Sequence, residues 1–378
     1  MLFHLSRPSR TVRATRAERE FDRSSDALAA AASGVPVVGA LSFAPDTPDA
    51  LYVPGDLVVD DTTRTAPPSV PAVRLVRSIP SPAGHRDRVT AVVDRIAAGA
   101  ARKVVLARAI ELAAEDRVDV EALIRSFAAG SPEGNAFAVD LSAAGGPQDG
   151  AVLVGSSPES LVRKDGDRVL CRPYAGSAPR SSDPEIDRRN GQALLESGKD
   201  HREHRYVVDH IADALAPVTR DLHVPDEPIL LGTGEMWHLA SPIEGVLAEN
   251  DVTALDLALL LHPTPAICGT PTDAARSIIG EVEGPRGFYA GAVGWCDAAG
   301  DGEWMVSIRC AEVAADRRTL RAWSGGGIVV DSDPTAELDE TTAKFATVLR
   351  ALGAPGLLAD ETGVRSGGSG SGVVGTAS

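Results

Sequence analysis

Residues 325–341, GGGIVVDSDPTAELDET, contain the pattern that decides the fold of this chain. Three consecutive glycines follow an aromatic strand end at residues 321–324. They allow the backbone to adopt positive φ angles and to approach a ligand closely, since no Cβ intervenes. The β-branched run at 328–330 predicts a short buried strand. Asp333 and Pro334 then predict a helix start, because an acidic N-cap precedes a proline at the first helical position.

Two acidic pairs mark predicted helix starts. Glu337 and Glu340 lie three residues apart, so their carboxylates share one face of the helix. Asp200 and Glu203 repeat this spacing at the start of a second predicted helix. Four carboxylates from two helices could hold one or more magnesium ions and leave positions open for substrate oxygens. The alternative for each pair alone is a solvated helix start, where acids favour the helix dipole.

The histidines offer weaker signals. His201 and His204 flank Glu203 and allow a zinc alternative, but their spacing fits no HExxH pattern and a third ligand is missing. His238 lies between apolar neighbours, which by itself is more typical of a core histidine than of a catalyst.

Composition excludes several classes of protein. The 378 residues are 43% hydrophobic, which is enough for a large core, and the net charge of -16 argues against non-specific binding to nucleic acid or to an anionic membrane. No apolar run reaches transmembrane length, and no signal peptide pattern is present. We expect one catalytic domain over 1–355 and a disordered Gly/Ser-rich tail over 356–378. Four cysteines without metal-site spacing predict reduced core thiols in a cytoplasmic protein, at Cys171, Cys268, Cys296 and Cys310.

Lysine is rare in this chain. Only four of the 37 basic residues are lysine, and Lys103 begins the apolar run 103–112, which predicts a buried strand. A lysine retained among arginines can lose its proton or act as a compact charge, which arginine cannot do. The arginine-rich first 20 residues resemble a transit peptide but lack an apolar face. They therefore predict a poorly ordered segment or an edge strand.

Two further charged residues stand in unusual places. Glu159 follows the predicted strand 151–155 in a Gly-Ser-Ser-Pro turn, where burial would raise its pKa and make it a candidate general acid. The alternative is a turn glutamate in water. Arg309 lies within the apolar run 303–312, which predicts a strand. A buried arginine needs a partner, either the carboxylate of a ligand or a structural acid.

The remaining pattern predicts an α/β protein. A small-residue loop is expected over 172–178. A second loop over 262–271 is expected to end at an N-cap threonine, Thr270, with Pro271 as the first helical residue. Helices are predicted over 86–101, 119–129, 184–198, 200–216, 251–261 and 271–283. Strands are predicted over 136–142, 161–163, 168–171 and 228–231, with an antiparallel meander over 289–297, 303–312 and 318–324.

Taken together, these segments resemble the chorismate-utilising enzymes, most closely isochorismate synthase. The resemblance spans about residues 85–353, and several ordered motifs carry it far more specifically than any single one. They are KVVLAR (103–108), SPE (157–159), YAGSA (174–178), KD (199–200) with EH (203–204), WHL (237–239), HPTPA (262–266), GAVGWCD (291–297), SIRC (307–310) and GGGIV (325–329).

The resemblance implies one α/β fold in which two large, mostly antiparallel sheets stack with helices outside and a site lies in the cleft between them. It also implies magnesium-dependent isomerisation of chorismate to isochorismate. Lys103 matches the general base that activates water for attack at ring C2, and Glu159 the general acid that protonates the departing C4 hydroxyl. Glu203 and Glu340 match magnesium ligands, with Asp200 and Glu337 nearby or bridged by water. Tyr289 and Arg309 match the positions that bind the enolpyruvyl carboxylate, Gly176, Ser177, Gly325 and Lys344 line the pocket, and His238 faces the ring.

Departures from the family pattern leave alternatives. Tyr174 replaces a common leucine, Gly198 a frequent glutamate and Cys268 a small polar residue. A salicylate synthase would go on to eliminate pyruvate, and a non-catalytic binding protein could keep the fold. The KVVLAR lysine resembles the water-using branch, so we expect no ammonia chemistry and no glutaminase subunit. We further expect a monomer whose product feeds siderophore, salicylate or menaquinone biosynthesis.

Overall fold

The computed structural model describes residues 1–62, 66, 68–234, 236–249 and 251–359. Within them the chain forms 22 strands and eight α-helices. The first strands are β1 (Phe3–Ser6), β2 (Thr11–Ala14), β3 (Ala17–Phe21), β4 (Val37–Leu41), β5 (Ala50–Pro54), β6 (Val58–Asp60), β7 (Val73–Ile79), β8 (Lys103–Ala114), β9 (Ala136–Asp140), β10 (Val152–Gly155) and β11 (Ser160–Asp165). The others are β12 (Arg168–Arg172), β13 (Tyr174–Pro179), β14 (Thr219–His223), β15 (Ile229–Gly232), β16 (Met236–Ala240), β17 (Ile243–Leu247), β18 (Gly269–Thr270), β19 (Ala292–Cys296), β20 (Gly302–Val306), β21 (Cys310–Val313) and β22 (Thr319–Ile328).

The helices begin where the sequence supplies caps. Asp119, Asp183 and Asp333 each cap a helix by accepting backbone N–H groups, and Thr253 forms a reciprocal capping box with Asp256. The helices are α1 (Ser24–Ala32), α2 (Pro82–Ala97), α3 (Val120–Gly130), α4 (Pro184–Glu196), α5 (Gly198–Leu215), α6 (Ala254–Leu261), α7 (Thr272–Val282) and α8 (Pro334–Ala351). None of them, within the described residues, is long and apolar enough to cross a membrane.

Two large sheets and one small sheet organise the strands. The ten-stranded sheet runs β18-β8-β22-β21-β10-β9-β1-β2-β6, with β7 also paired to β8. The nine-stranded sheet runs β14-β17-β12-β11-β20-β19-β4-β5-β3, and the small sheet β13-β16-β15. Pairings such as β22 with β8 and β11 with β12 are antiparallel. This mixed architecture of stacked antiparallel sheets and helices confirms the predicted fold class.

Apolar side chains fill two layers. The larger core joins the two large sheets and includes Val104 and Leu106 of β8 and Val38 and Leu41 of β4. The smaller core lies where α3 and α8 pack against β8, β9, β10, β21 and β22. Strand β8 therefore contributes to both layers, which explains its continuous apolar sequence. All four cysteines are buried and unpaired.

Several local predictions are wrong. The three glycines do not form a loop before a strand, because they lie inside β22, which pairs with β8 through Ile328. Val330 is 51% exposed rather than buried, since the chain there is already turning toward the cap of α8. The predicted loop at 172–178 is largely strand β13, which is paired with β16. Thr270 belongs to the short strand β18, and Pro271, not Thr270, is the N-cap residue of α7.

Two longer-range predictions also fail. The meander over 289–324 is divided, because β19 and β20 belong to the nine-stranded sheet and β21 and β22 to the ten-stranded sheet. The arginine-rich start is not poorly ordered, since it contributes β1, β2 and β3; β3 does form the edge of the nine-stranded sheet. There Arg7 and Arg10 approach the buried Glu303 of β20. The predicted disorder of the tail from residue 360 onward lies outside the described residues.

Candidate active site

One cleft gathers most of the predicted site residues. Its walls enclose about 720 Å³, part of it open to solvent, within the usual range of about 300–1,000 Å³ for small-molecule sites. Ten of the 13 residues singled out above line it. They are Glu159, Gly176, Ser177, Glu203, His238, Tyr289, Arg309, Gly325, Glu340 and Lys344.

The glycine run of β22 makes room for its neighbours. A Cβ at Gly325 would lie 2.9 Å from the Tyr289 hydroxyl, and one at Gly326 would lie 3.0 Å from Oε2 of Glu337. At Gly327 it would lie 2.4 Å from Oε1 of Glu203 and 3.0 Å from Cε of Lys103. Because side chains alternate along a strand, Gly325 and Gly327 face one side and Gly326 the other. The absence of side chains, rather than unusual φ angles, is what these positions require.

Lys103 lies just behind the cleft wall. Its side chain is fully buried at the start of β8, and Nζ lies 2.9 Å from Oε1 of Glu203. The two groups form an ion pair by distance, although the approach lacks hydrogen-bond geometry. Among the described groups no hydrogen-bond acceptor engages this Nζ. A buried lysine held only by one carboxylate is suited to take up or release a proton.

Glu159 occupies the turn between β10 and β11, as predicted. It is 4% exposed, its backbone N–H donates to Oγ of Ser157 at 3.2 Å, and its carbonyl accepts from the amide of Val306. Burial raises the pKa of this carboxyl to about 7, opposed by the Tyr174 amide and by the charges of Lys103, Arg309 and Lys344. The carboxyl can therefore hold a proton near neutral pH and release it to a substrate.

Arg309 stands where the chain crosses from one large sheet to the other. It lies between β20 and β21 with a φ of 52°, and its carbonyl accepts the Ser156 amide at 3.1 Å. The prediction of a strand position for Arg309 is wrong, because residues 307–309 bridge the two sheets. A positive φ in a non-glycine residue costs free energy and is often found where a side chain must be aimed into a site. Here the side chain lines the cleft with Glu159.

The paired acids of α8 are held by neighbouring side chains. Glu340 accepts Oγ of Ser177 at 2.9 Å and pairs with Nζ of Lys344 at 2.5 Å. Burial opposes ionisation of Glu340, but the Lys344 ammonium and these hydrogen bonds hold its pKa below the usual value. Glu337 accepts Oγ of Ser332 at 2.7 Å and lies 3.5 Å from Nζ of Lys199. Burial and the nearby Glu340 raise its pKa to about 7.

The acids of α5 complete the set. Glu203 lines the cleft beside Gly327, whereas Asp200 lies behind Gly176, where an added Cβ would be 2.9 Å from its own Cβ. Burial raises the pKa of Asp200, opposed by its hydrogen bond with Ser197. The α5 and α8 acids influence one another electrostatically, so the fold brings the two predicted pairs together.

The carboxylates fit a hard divalent cation by chemistry. Oxygen donors of this kind are the preferred ligands of magnesium. Oε2 of Glu337 is buried without a hydrogen-bond partner, and Glu203 and Glu340 present carboxylates to the cleft. Across the described residues, however, no three His, Cys, Asp or Glu side chains converge in ready ligating geometry. Glu203 and Glu340 are thus the residues that would hold magnesium, with Asp200 and Glu337 behind them.

Two aromatic stacks form opposite walls. Tyr289 stacks on Trp323 with centroids 6.0 Å apart, and Tyr174 stacks on His238 at 5.6 Å. Burial lowers the pKa of His238 to about 3, so the ring is neutral at physiological pH. Lys344 is fixed by the ion pair to Glu340 and donates to the Gly325 carbonyl at 3.1 Å.

Sequence reasoning missed Trp323 and Lys199. Trp323 lies two residues before Gly325, so the alternation of the strand places both on the cleft side, and that signal was available. Lys199 belongs to a noted motif but received no role, and the structure places its ammonium near Glu337. The zinc alternative fails, because Nε2 of His204 bonds Oγ of Ser241 and Nε2 of His201 bonds the Leu195 carbonyl.

Comparison with known proteins gives one consistent family. The family model described as "Chorismate binding enzyme" matches residues 58–353. Isochorismate synthase DhbC of Bacillus subtilis is 47% identical over 279 residues, which is 74% of this chain and 70% of that protein. Isochorismate synthase EntC of Escherichia coli K12 is 38% identical over 339 residues, covering 87% and 84% of the two chains.

A solved structure gives the same picture. The Bacillus anthracis protein named DhbC, for a 2,3-dihydroxybenzoate-specific isochorismate synthase, is similar with a TM-score of 0.87 at 35% identity. The likeness covers 93% of this chain and 96% of that one. The fold, the cleft and the matched segments therefore agree over nearly the whole described chain.

Proposed function

This chain belongs to the family of chorismate-binding enzymes, and we propose that it is an isochorismate synthase, an isomerase that converts chorismate to isochorismate with magnesium. The observation that carries the proposal is the joint placement of Lys103 and Glu159. Both are buried at one cleft between the sheets, one beneath Gly327 and the other in the β10–β11 turn. Relatives of this chain that are named isochorismate synthase support the same reaction.

The reaction needs a base and an acid that act in one site. In its neutral form Lys103 takes a proton from water as the water oxygen forms a bond to ring C2. The ring double bonds shift, the C4–O bond breaks, and Glu159 gives its proton to the departing hydroxyl, which leaves as water. One water is consumed and one is released, so the net change is an isomerisation. Exchange with solvent then returns Lys103 and Glu159 to their starting protonation states.

Substrate binding requires cationic groups, because chorismate carries two carboxylates and the chain is acidic. Arg309 lines the cleft next to Glu159, and Tyr289 on the facing stack offers a hydroxyl, so this pair is proposed to bind the enolpyruvyl carboxylate. Gly176, Ser177, Gly325 and Lys344 line the pocket, and His238 offers a neutral ring face. When bound, magnesium neutralises the ring carboxylate against the anionic Glu203 and Glu340.

The decisive experiment incubates the protein with chorismate, with and without magnesium, and separates the products by chromatography. Isochorismate in equilibrium with chorismate, lost on addition of a chelator, is the expected result. Salicylate with pyruvate would move the chain to the lyase branch. Absence of any product under both conditions would leave a non-catalytic binding protein.

Partners and product use are further parts of the proposal. We expect turnover without a glutaminase subunit, by a monomer, because water rather than ammonia attacks the ring. Gel filtration of the active protein tests this expectation. Isochorismate from this enzyme would feed siderophore, salicylate or menaquinone biosynthesis.

A further inference from the structure

A buried ion pair lies at the end of α7, outside the set of residues discussed so far. Glu283 is the C-cap residue of α7, and Arg286 follows three positions later. Nε of Arg286 donates to Oε2 of Glu283 at 2.8 Å, and Nη2 donates to Oε1 at 2.6 Å. The side chains are 2% and 6% exposed. This is the two-pronged geometry that fixes a guanidinium and a carboxylate rigidly against each other.

Arg286 also binds the backbone of the cleft wall. Nη1 donates to the Ile267 carbonyl at 2.8 Å, and Nη2 donates to the Val105 carbonyl at 2.7 Å. The Arg286 carbonyl in turn accepts the Tyr289 amide at 3.1 Å. Ile267, Val105 and Tyr289 all line the cleft. One side chain and its own backbone thus connect three wall residues from three separate segments.

Glu283 extends the same connection along β8. Its Oε1 accepts the Ala107 amide at 2.5 Å, two residues beyond Val105 on the strand that begins at Lys103. The guanidinium of Arg286 also stacks over Phe43, with Cζ 4.4 Å from the ring centroid. Phe43 follows β4 of the nine-stranded sheet, so the pair links both large sheets.

We propose that Glu283 and Arg286 form a positioning unit that sets the distance between β8, the 262–268 loop and Tyr289, and thereby the shape of the substrate pocket. The inference rests on the proposed function for its kinetic consequence only. Buried ion pairs are often no more stabilising than apolar side chains of similar size. What this pair supplies is direction, since its outward hydrogen bonds all reach backbone atoms of the wall or of the strand carrying Lys103.

The test compares Arg286→Lys with Arg276→Lys. Arg276 also pairs with an acid three residues away on α7, Asp273, but that acid is 97% exposed and neither residue lines the cleft. A lysine at 286 keeps the charge beside Glu283, but one ammonium cannot reproduce the planar fork that reaches Glu283, Val105 and Ile267 together. Both variants are first checked for an intact fold by circular dichroism and thermal unfolding.

Two readouts distinguish positioning from stability. In Arg286→Lys, hydrogen–deuterium exchange should rise in peptides covering 103–108 and 264–291, whereas Arg276→Lys matches the wild type outside its own turn of α7. The KM for chorismate should rise by at least about tenfold in Arg286→Lys, with a smaller change in kcat, because ground-state contacts are lost more than transition-state ones. Glu283→Gln, which keeps the shape but removes the charge, should shift both readouts in the same direction.

Each result has a defined consequence. Unchanged exchange and an unchanged KM in a folded Arg286→Lys protein would overturn the inference. An equal loss in Arg276→Lys would also overturn it, since the effect would then be general to α7. Failure of the wild type and Arg276→Lys to convert chorismate would contradict the proposed function instead, and the exchange experiment would still decide whether the pair positions the wall.

Discussion

Nζ of Lys103 lies 2.9 Å from Oε1 of Glu203, and both side chains pack against the bare backbone of Gly327. This contact joins the predicted general base to a predicted magnesium ligand. A change at either residue therefore alters the charge next to the other. It also makes the glycine a condition for the pair, because any side chain at 327 would enter the space that they occupy.

Replacement of Lys103 by methionine should abolish turnover. The change keeps the length of the side chain but removes the only group placed to accept a proton beneath Gly327, and losing such a group costs about a hundredfold to ten-thousandfold in rate. Steady-state kinetics measures the loss, and calorimetry with chorismate and magnesium should still show binding. Lys164→Met is the matched control, since Lys164 pairs with Asp301 away from the cleft. Turnover of Lys103→Met within tenfold of the wild type would refute the assignment.

An alanine at Gly327 should inactivate the enzyme with little change in fold. Its Cβ would lie 2.4 Å from Oε1 of Glu203, so Glu203 and Lys103 must move apart. We expect kcat/KM to fall by about a hundredfold or more, in line with the loss of a positioned acid–base group. Gly280→Ala is the control, because nothing lies within 4 Å of a Cβ there and alanine favours a helix interior by about 1 kcal/mol. Equal activity of both variants would show that the glycine is not required for room.

The pH dependence of activity should reflect Glu159. Its pKa is raised to about 7 by burial, and only the protonated form can give a proton to the leaving hydroxyl. The kcat/KM for chorismate should therefore decline as pH rises through about 7. Glu159→Gln, which cannot donate that proton, should be inactive at every pH. A rate that stays level from pH 6 to 8.5 would exclude Glu159 as the acid of the rate-determining step.

The same carboxyl should make stability depend on pH. Between about pH 4.5 and 7 the folded state holds the Glu159 proton and the unfolded state has released it, so the free energy of unfolding falls as pH rises through this window. At pH 8 the ionised group costs the folded state about 3 kcal/mol relative to the unfolded chain. Glu159→Gln mimics the protonated acid, so its stability relative to the wild type should be greater at pH 8 than at pH 4.5. Urea denaturation at the two pH values measures this, and a constant difference would contradict the burial argument.

A leucine at Tyr174 should affect stability more than chemistry. Tyr174 stacks on His238 at 5.6 Å, and such aromatic pairs contribute about 0.5–1.5 kcal/mol beyond the burial of their surfaces. We expect Tyr174→Leu to lower the melting temperature by a few degrees while kcat stays within about threefold of the wild type. Thermal unfolding and kinetics on one preparation check both. Loss of turnover with an unchanged melting temperature would give Tyr174 a direct role in the reaction.

Much of the site was visible in the sequence because its signals are local. Asp333 before Pro334 predicts the start of α8, and that helix fixes Glu337 and Glu340 on one face. The apolar run from Lys103 predicts β8, and the turn at 156–159 predicts the constrained position of Glu159. Each depends on backbone geometry within a few residues, so neighbouring residues are sufficient to specify it.

Only the tertiary structure decided how these local features meet. The sequence alone does not show that the 325–327 glycines lie inside a strand, because the reason is a clash with Lys103, Glu203 and Tyr289 from distant segments. Nor does it show that residues 307–309 carry the chain from one sheet to the other, since strand pairing depends on partners far along the chain. The sequence thus determined which groups are available, and long-range packing decided which of them are buried together with altered proton affinity.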